Sequence, residues 1–192
     1  MCKFSSLLII VLLSCPLAMG GEDAASADFI RSSCSVTSYA QVCYESLTRY
    51  AGPVKHNEQS LARAALSVSL AKAKSAHSFV STMGKANKLK GVESQALKDC
   101  IETVGDSVDR LGQSIGELAH IDTTSGIDFR FHVSNVETWV SAALTDEDTC
   151  LDGFADTHGT MKTAIRRRIV DVAQVTSVGL ALVNSFAGRY SP

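Results

Sequence analysis

The stretch from Leu97 to Leu118, LKDCIETVGDSVDRLGQSIGEL, is the clearest structural signal in the sequence. Its large apolar residues recur at alternating intervals of four and three, which places them on one side of an α-helix. They are Leu97, Ile101, Val104, Val108, Leu111, Ile115 and Leu118. Such a seam is typical of a helix that packs in a bundle. We therefore predict a helix over about residues 93–119.

Three further segments show a helical pattern, and we predict one helix that is capped by Asn57 or Ser60 and runs to about Met83, and two more over about residues 129–155 and 160–187. The predicted core positions of the third helix are Val133, Val136, Val140, Leu144, Leu151 and Phe154. Residues 54–191 contain no proline, which favours helices over a strand-and-turn protein. Because short connections make consecutive helices antiparallel, the sequence predicts an all-α protein with an up-down-up-down four-helix bundle over residues 57–187.

The N-terminal segment has the features of a secretory signal peptide. Lys3 precedes the apolar run 7–13, and small residues follow as far as Gly20, so we predict that residues 1–20 are removed. A transmembrane anchor is the alternative, but the run is too short to cross a bilayer. We expect residues 21–27 to be flexible and residues 28–192 to form one domain.

Four cysteines remain after the signal peptide is removed: Cys34, Cys43, Cys100 and Cys150. An even number in a secreted protein implies two disulfides, for which three pairings exist. In an antiparallel bundle, the start of the second helix lies beside the end of the third. This arrangement brings Cys100 level with Cys150 and favours Cys34 with Cys43 as the second pair.

Charge is unevenly distributed, although the formal net charge is only −2. Residues 49–98 carry a net charge of +7 and residues 157–192 a net charge of +4. Residues 99–156, with thirteen acidic and two basic residues, carry −11. The total excludes a strongly basic nucleic-acid-binding protein, and the acidic segment favours a basic partner. Charge pairing within the bundle is the alternative interpretation.

Polar residues follow helical spacing on both acidic helices. We place a row on the second helix roughly opposite its apolar seam: Thr103, Asp106, Arg110, Gln113 and Glu117. A matching row lies on the third helix: Thr138, Thr145, Thr149 and Asp152. Small hydroxyls between carboxylates form a flat polar surface that suits contact with a protein. Ordinary solvent-exposed helix is the alternative.

Signatures of catalysis are missing from the sequence. It has no Gly-x-Ser-x-Gly elbow, His-Glu-x-x-His motif, phosphate loop or Gly-x-Gly-x-x-Gly motif. The five histidines lack the spacing of metal ligands. We therefore expect no enzymatic activity, cofactor, metal or small-molecule substrate. We interpret Arg166–Arg168 as a solvated helix face, with a processing site and an anion patch as alternatives.

Several stretches resemble the plant pectin methylesterase and invertase inhibitor family, over about residues 28–188. The most specific are the two-cysteine leader and the segment DTCLDGF at 148–154. The others include FIRSSC at 29–34, WVSAAL at 139–144 and VAQVTSVGLALVN at 172–184.

The resemblance implies a four-helix bundle preceded by an N-terminal helical hairpin, residues 28–52, with the two disulfides already described. It implies inhibition of pectin methylesterases or acid invertases. Family inhibitors of the esterase bind non-covalently in a 1:1 complex and cover the pectin-binding cleft, largely with bundle helices two and three. Thr149 and Asp152 match the family motif as enzyme-binding positions, whereas the other row residues are inferred from spacing alone.

The branch of the family is indicated by what the sequence contains and lacks. The Pro-Lys-Phe motif of invertase inhibitors is missing, and the runs WVSAALT and VTSVGLALVN resemble the esterase-inhibitor branch. A detached pro-region of a pectin methylesterase is a further possibility, less favoured because the chain stops soon after the fourth helix.

We therefore predict a secreted inhibitor of pectin methylesterase in the apoplast, without nucleic-acid or membrane partners. An acid invertase inhibitor and a secreted helical ligand carrier are the alternatives. His132, close to the predicted interface, is a candidate for tuning binding with pH.

Overall fold

The computed structural model describes residues 21–86, 91–123 and 126–190, and all seven of its α-helices lie in these ranges. Three short helices come first: α1, Gly21–Cys34; α2, Ala40–Leu47; and α3, Ala51–Val54. A 3₁₀ turn, Thr48–Tyr50, joins α2 to α3. Four long helices follow: α4, Glu58–Ala86; α5, Val92–Ala119; α6, Gly126–Gly153; and α7, Thr160–Tyr190. The predicted signal peptide, residues 1–20, lies outside the described residues.

The four long helices form the predicted up-down-up-down bundle, so the predicted fold is confirmed. Helix α4 packs against α5 and α7, and α6 packs against the same two helices, so the four surround one core. Asn57 caps the start of α4, where its Oδ1 accepts a hydrogen bond from the Ser60 N–H at 2.7 Å. Gly179 allows α7 to approach α4 closely, because a Cβ there would lie 2.7 Å from Leu66 Cδ2.

The N-terminal helices form a hairpin that packs against α4 and α7. A disulfide joins Cys34 to Cys43 across the hairpin, with 5.6 Å between the Cα atoms. Ile30, Leu47 and Val54 bury this segment against the bundle. Helix α1 already begins at Gly21, so residues 21–27, where we expected a flexible segment, have a helical backbone.

Helix α7 has the composition of a membrane span, although it is packed inside the bundle. Of the described helices, it alone is long and apolar enough to cross a bilayer. Half of its most apolar window is buried against the rest of the protein. Its apolar residues therefore fit a bundle-core role, as in the central helix of many water-soluble proteins.

The buried side of α5 is only partly the one that we predicted. Leu97, Val104, Leu111 and Leu118 are buried as predicted, but Ile101, Val108 and Ile115 are only half-buried. The remaining core positions belong to Cys100, Ser107 and Ser114. Small residues at these positions allow α6 to approach closely, so the larger side chains lie at the edge of the core.

Two of the core residues that we predicted on α6 were wrong. Leu144 and Leu151 are half-buried, whereas Ala143, Glu147 and Cys150 lie in the core. The buried residues follow one four-three seam along the whole helix, and Glu147 occupies a seam position that an apolar residue would ordinarily fill.

Glu147 is the centre of a polar cluster to which each bundle helix contributes one side chain. Its Oε1 accepts hydrogen bonds from Ser107 Oγ of α5 at 2.8 Å and Thr176 Oγ1 of α7 at 3.0 Å. Thr176 Oγ1 is also hydrogen-bonded to Ser69 Oγ of α4. All four residues are buried, and Glu147 Oε2 has no hydrogen-bond partner among the described residues. We call these four residues the core glutamate cluster.

Burial raises the pKa of Glu147 to about 7. The hydrogen bonds from Ser107 and Thr176 oppose this shift, and the nearby Asp148 and Asp146 add to it. Because the folded pKa lies above the unfolded one, the folded protein keeps a proton that the unfolded chain loses first. The free energy of unfolding therefore falls as the pH rises from about 4.5 to about 7 and changes little from this source above that range.

We predict that Glu147→Gln removes this part of the pH dependence, because glutamine is neutral at every pH. Between about pH 4.5 and about pH 8, the wild type should lose about 3 kcal/mol of unfolding free energy relative to the variant. Urea denaturation at both pH values measures the difference. Glu102→Gln, an exposed position on α5, is the control. Parallel stability curves for wild type and Glu147→Gln would show that the buried carboxyl is not the source.

Candidate functional site

A row of residues on the outward side of α6 is exposed along nearly the whole helix. The four positions predicted on this helix, Thr138, Thr145, Thr149 and Asp152, are all exposed. They belong to a longer exposed row at three- and four-residue spacing: Ile127, Phe131, Ser134, Thr138, Ser141, Thr145, Thr149 and Asp152. Over 25 residues at ~1.5 Å per residue, this α6 row is roughly 38 Å long.

The threonines of the α6 row present a preorganised surface. Thr149 Oγ1 donates a hydrogen bond to the Thr145 carbonyl at 2.7 Å, and Thr145 Oγ1 donates to the Ser141 carbonyl at 3.1 Å. Each hydroxyl therefore has its donor occupied within the helix, and its free acceptor sites face solvent. Because threonine is β-branched, little side-chain freedom is lost when such a surface is covered.

The N-terminal end of the α6 row is apolar, and it lies beyond the predicted row, which begins at Thr138. Ile127 is 77% exposed and Phe131 is 63% exposed, one helical turn apart. Phe131 has an edge-on ring contact with His132 at 5.5 Å between centroids. Exposed aromatic residues beside polar ones often anchor protein interfaces. Extending the predicted row toward the N-terminus by the same spacing, from Thr138 to Ser134, Phe131 and Ile127, would have found it.

The predicted row on α5 lies along the groove between α5 and α6 rather than opposite the core. Asp106 and Gln113 are exposed, but Thr103, Arg110 and Glu117 are half-buried. The predicted orientation was therefore wrong for these three residues. Since the core seam runs through Ser107 and Ser114, the row on its flank turns toward α6.

Arg110 and Asp146 form an ion pair across this groove. Arg110 Nε lies 2.7 Å from Asp146 Oδ2, although the N–H does not align with the oxygen as a hydrogen bond requires. Burial raises the pKa of Asp146, and the charge of Arg110 opposes that shift. Arg110 is therefore engaged within the protein and contributes to the site by joining the two helices.

Glu117 also joins α5 to α6, nearer the C-terminal end of α5 than Arg110. Its Oε1 accepts hydrogen bonds from Asn135 Nδ2 and His132 Nδ1, each at 2.8 Å. The hydrogen bond from Asn135, followed by that from His132, lowers the pKa of the Glu117 carboxyl. His132 thus lies in the groove beside Phe131, and its effect on binding stays a prediction.

We use the name α5–α6 face for the α6 row together with the exposed acids beside it on α5, Glu102, Asp106 and Asp109. Within the described ranges, no group of three or more His, Cys, Asp or Glu residues is placed to hold a metal ion. The face is long, acidic and preorganised, and it has an apolar end. These features suit binding to another protein.

A helical bundle with a preorganised acidic face defines this molecule as a binding protein, and sequence comparison gives its family. The chain matches the family described as "Plant invertase/pectin methylesterase inhibitor" over residues 28–182. It therefore belongs to this family.

Its relatives carry names consistent with that assignment. The chain is 46% identical over 196 residues to "Pectinesterase inhibitor 9" of Arabidopsis thaliana, covering 97% of this chain and 96% of the relative. It is 45% identical over 190 residues to "21 kDa protein" of Daucus carota, covering 97% and 94%. The fold resembles a crystal structure of a mutant pectin methylesterase inhibitor from Arabidopsis. That match has a TM-score of 0.64 and 20% identity, over 79% of this chain and 92% of the other.

We predict that Glu117→Gln destabilises the protein at neutral pH, because it removes the charge that strengthens two hydrogen bonds across the groove. A lowered folded pKa contributes stability above the unfolded pKa, and this stability is lost as the pH falls through the folded pKa. The free energy of unfolding should fall by about 1 kcal/mol near pH 7, with the difference closing near about pH 3.

Chemical denaturation at the two pH values tests this expectation. Asp109→Asn, an exposed acid on the same helix, serves as the control and should change stability little. A loss of equal size at both pH values would mean that packing, not charge, explains the effect.

Proposed function

We propose that the protein is a secreted inhibitor of pectin methylesterase that covers the substrate cleft of the enzyme with its α5–α6 face. The observation that carries this proposal is the continuous exposed row on α6, from Ile127 to Asp152. Family membership and relatives named as pectinesterase inhibitors support the choice of target.

Inhibition in this proposal is steric and needs no chemistry from the inhibitor. A typical specific interface buries about 800 Å² on each partner, and a row roughly 38 Å long with its flanking acids provides a surface of that scale. Phe131 supplies an apolar anchor at one end, and Asp152 supplies charge at the other. An enzyme cleft filled by this face has no room for a methylated pectin chain.

Rigidity of the face favours binding, because little conformational freedom is then lost on association. The disulfide between Cys100 and Cys150 joins α5 and α6 at one end, with 4.3 Å between the Cα atoms. The ion pair of Arg110 with Asp146 and the contacts of Glu117 join them further along.

Two alternative functions are less well supported. Inhibition of acid invertase agrees with the family description, but the sequence lacks the Pro-Lys-Phe motif, and several relatives are named for pectinesterase inhibition. A carrier for an apolar ligand would need an apolar interior. At the level of the core glutamate cluster, however, polar side chains from all four helices fill the centre of the bundle.

Stoichiometry and localisation belong to the same proposal. One α5–α6 face on each molecule favours a 1:1 complex with the enzyme. The signal peptide predicted over residues 1–20 directs the protein to the cell wall. Two disulfides are typical of proteins that mature in an oxidising compartment.

We predict that the purified protein inhibits pectin methylesterase and leaves acid invertase active. Methanol release from highly methylated pectin measures the first activity, and sucrose hydrolysis measures the second. The protein heated and reduced beforehand is the control, because loss of the fold removes the face. Undiminished methanol release across several esterase isoforms and pH values would contradict the proposal, and selective loss of invertase activity would favour the alternative.

We also predict that the α5–α6 face carries the binding. Phe131→Ala should weaken esterase affinity by about tenfold or more, as loss of an aromatic anchor does. Thr149→Ala with Asp152→Ala should weaken it severalfold, as small surface contacts do. Both variants should stay folded, since the three side chains are exposed. Titration of the enzyme with each variant measures the change.

Matched controls lie away from the face. Tyr39→Ala removes an exposed aromatic residue from the N-terminal hairpin, and Thr82→Ala with Asp28→Ala repeats the double change on α4 and α1. Unchanged affinity in the face variants, or an equal loss in the controls, would show that another surface binds the enzyme.

A further inference from the structure

A cavity lies between the C-terminal part of α4 and the N-terminal part of α5. Its volume is about 390 Å³, which is within the range of about 300–1,000 Å³ that small-molecule sites occupy. We call this space the α4–α5 cavity. It is separate from the α5–α6 face, because none of the residues that line it belongs to that face.

The floor of the α4–α5 cavity is apolar. Leu97 is buried and Ile101 is half-buried, and both line the space. Gly84 of α4 leaves it open, because a Cβ there would lie 3.3 Å from Ile101 Cδ1 and 3.6 Å from Leu97 Cδ2. The absence of a side chain at this position leaves aliphatic surface that a hydrocarbon group can cover.

The rim of the cavity is cationic. Lys85 of α4 and Lys98 of α5 line it, and both are exposed. Neither ammonium group has a carboxylate partner among the described residues, and Asp99 and Glu102, the acids closest in sequence to Lys98, form no ion pair with it. Helix α4 adds no opposing charge here, since none of its residues 59–86 is acidic.

Two hydroxyl groups complete the lining. Ser81 and Ser94 also line the cavity, one from each helix. Neither makes a side-chain hydrogen bond among the described residues, whereas Thr82, the neighbour of Ser81, donates to the Ser78 carbonyl at 2.8 Å. Both hydroxyls are therefore available to a ligand. An aliphatic floor below a polar and positively charged rim suits an amphipathic anion.

We propose that the α4–α5 cavity binds a medium-chain fatty acid. The hydrocarbon chain covers Leu97 and Ile101, and the carboxylate lies at the rim, where it meets the ammonium groups of Lys85 and Lys98. The serine hydroxyls supply further donors to the carboxylate. Because exposed ion pairs contribute little by themselves, the chain and the head group both have to contribute to binding.

Other ligand classes match this lining less well. A small hydrophilic anion would leave the aliphatic floor uncovered, and an uncharged alcohol would leave both lysines without a partner. A polyanion that extended along α5 would meet its exposed acids, which would repel it. The ligand binds in a groove at the surface, so the polar centre of the bundle is no obstacle to it.

Nuclear magnetic resonance titration with octanoate tests the proposal. The Gly84 amide and the Ile101 Cδ1 methyl group report from the cavity, and the methyl group of Ile165, buried on α7, is the internal control. Octanoate should shift the two cavity signals to saturation, with a dissociation constant of about 1 mM for an open site and a ligand of this size.

Two analogues separate the contributions of chain and charge. Acetate lacks the chain and should give no saturation in the same concentration range, because the apolar floor stays uncovered. Octanol lacks the charge and should bind about fivefold more weakly than octanoate, because the lysines gain no partner.

Paired lysine variants locate the head group. Lys85→Gln with Lys98→Gln should weaken octanoate binding about fivefold or more and leave octanol binding unchanged, because only the charge is removed. Lys55→Gln with Lys74→Gln removes the same charge from exposed lysines elsewhere and should bind octanoate as the wild type does. All four side chains are exposed, so both variants should fold.

The site would be ruled out if octanoate gave no saturable shift of the cavity signals, if the Ile165 control shifted equally, or if both double variants weakened binding equally. Acetate binding as tightly as octanoate would indicate a simple anion site, and octanol binding as tightly would indicate an apolar surface without selection for charge. Either result would overturn the assignment to a fatty acid. Because no readout uses the esterase, failure of the proposed function would leave this test unaffected.

Discussion

The close contact between α5 and α6, fixed by the disulfide of Cys100 with Cys150, determines much of the structure. From this bond, successive contacts move up α5 and down α6. Ser107 reaches Glu147, Arg110 reaches Asp146, and Glu117 reaches His132. The small residues at the α5 seam permit this approach. The register of these two helices therefore determines both the polar centre of the bundle and the shape of its acidic face.

The bundle separates its charges so that each half has a distinct electrostatic character. Helices α5 and α6 carry most of the acidic residues, and α4 and α7 each carry more basic than acidic residues. The ion pairs of the described residues each lie within one half, as Lys72 with Asp171 and Arg110 with Asp146 do, so none of them joins the acidic half to the basic half. The small net charge thus conceals a strongly dipolar molecule, and such a dipole orients a charged partner before contact is made.

The sequence predicted the bundle well because four long segments have helical apolar spacing, and the positions of Cys100 and Cys150 agree with antiparallel neighbours. The sequence did not show which residues beside each apolar seam are buried, because that depends on where the neighbouring helix packs. Ile101 and Leu144 appeared to be core residues by size, but the helices meet at Ser107 and Ala143, where small side chains allow close packing. Glu147 could not be recognised by hydrophobicity, since only its spacing marks it as a core position. The orientation of Arg110 likewise required knowledge of its neighbour on α6.

The core glutamate cluster also bears on how long the folded protein survives. A neutral Glu147 suits an acidic surrounding such as the cell wall proposed for this protein, whereas a near-neutral compartment ionises it inside the bundle. Proteases that attack transiently opened chains cleave less when opening is rarer. Acidity would therefore extend the working lifetime of the inhibitor after export, without any change to its surface.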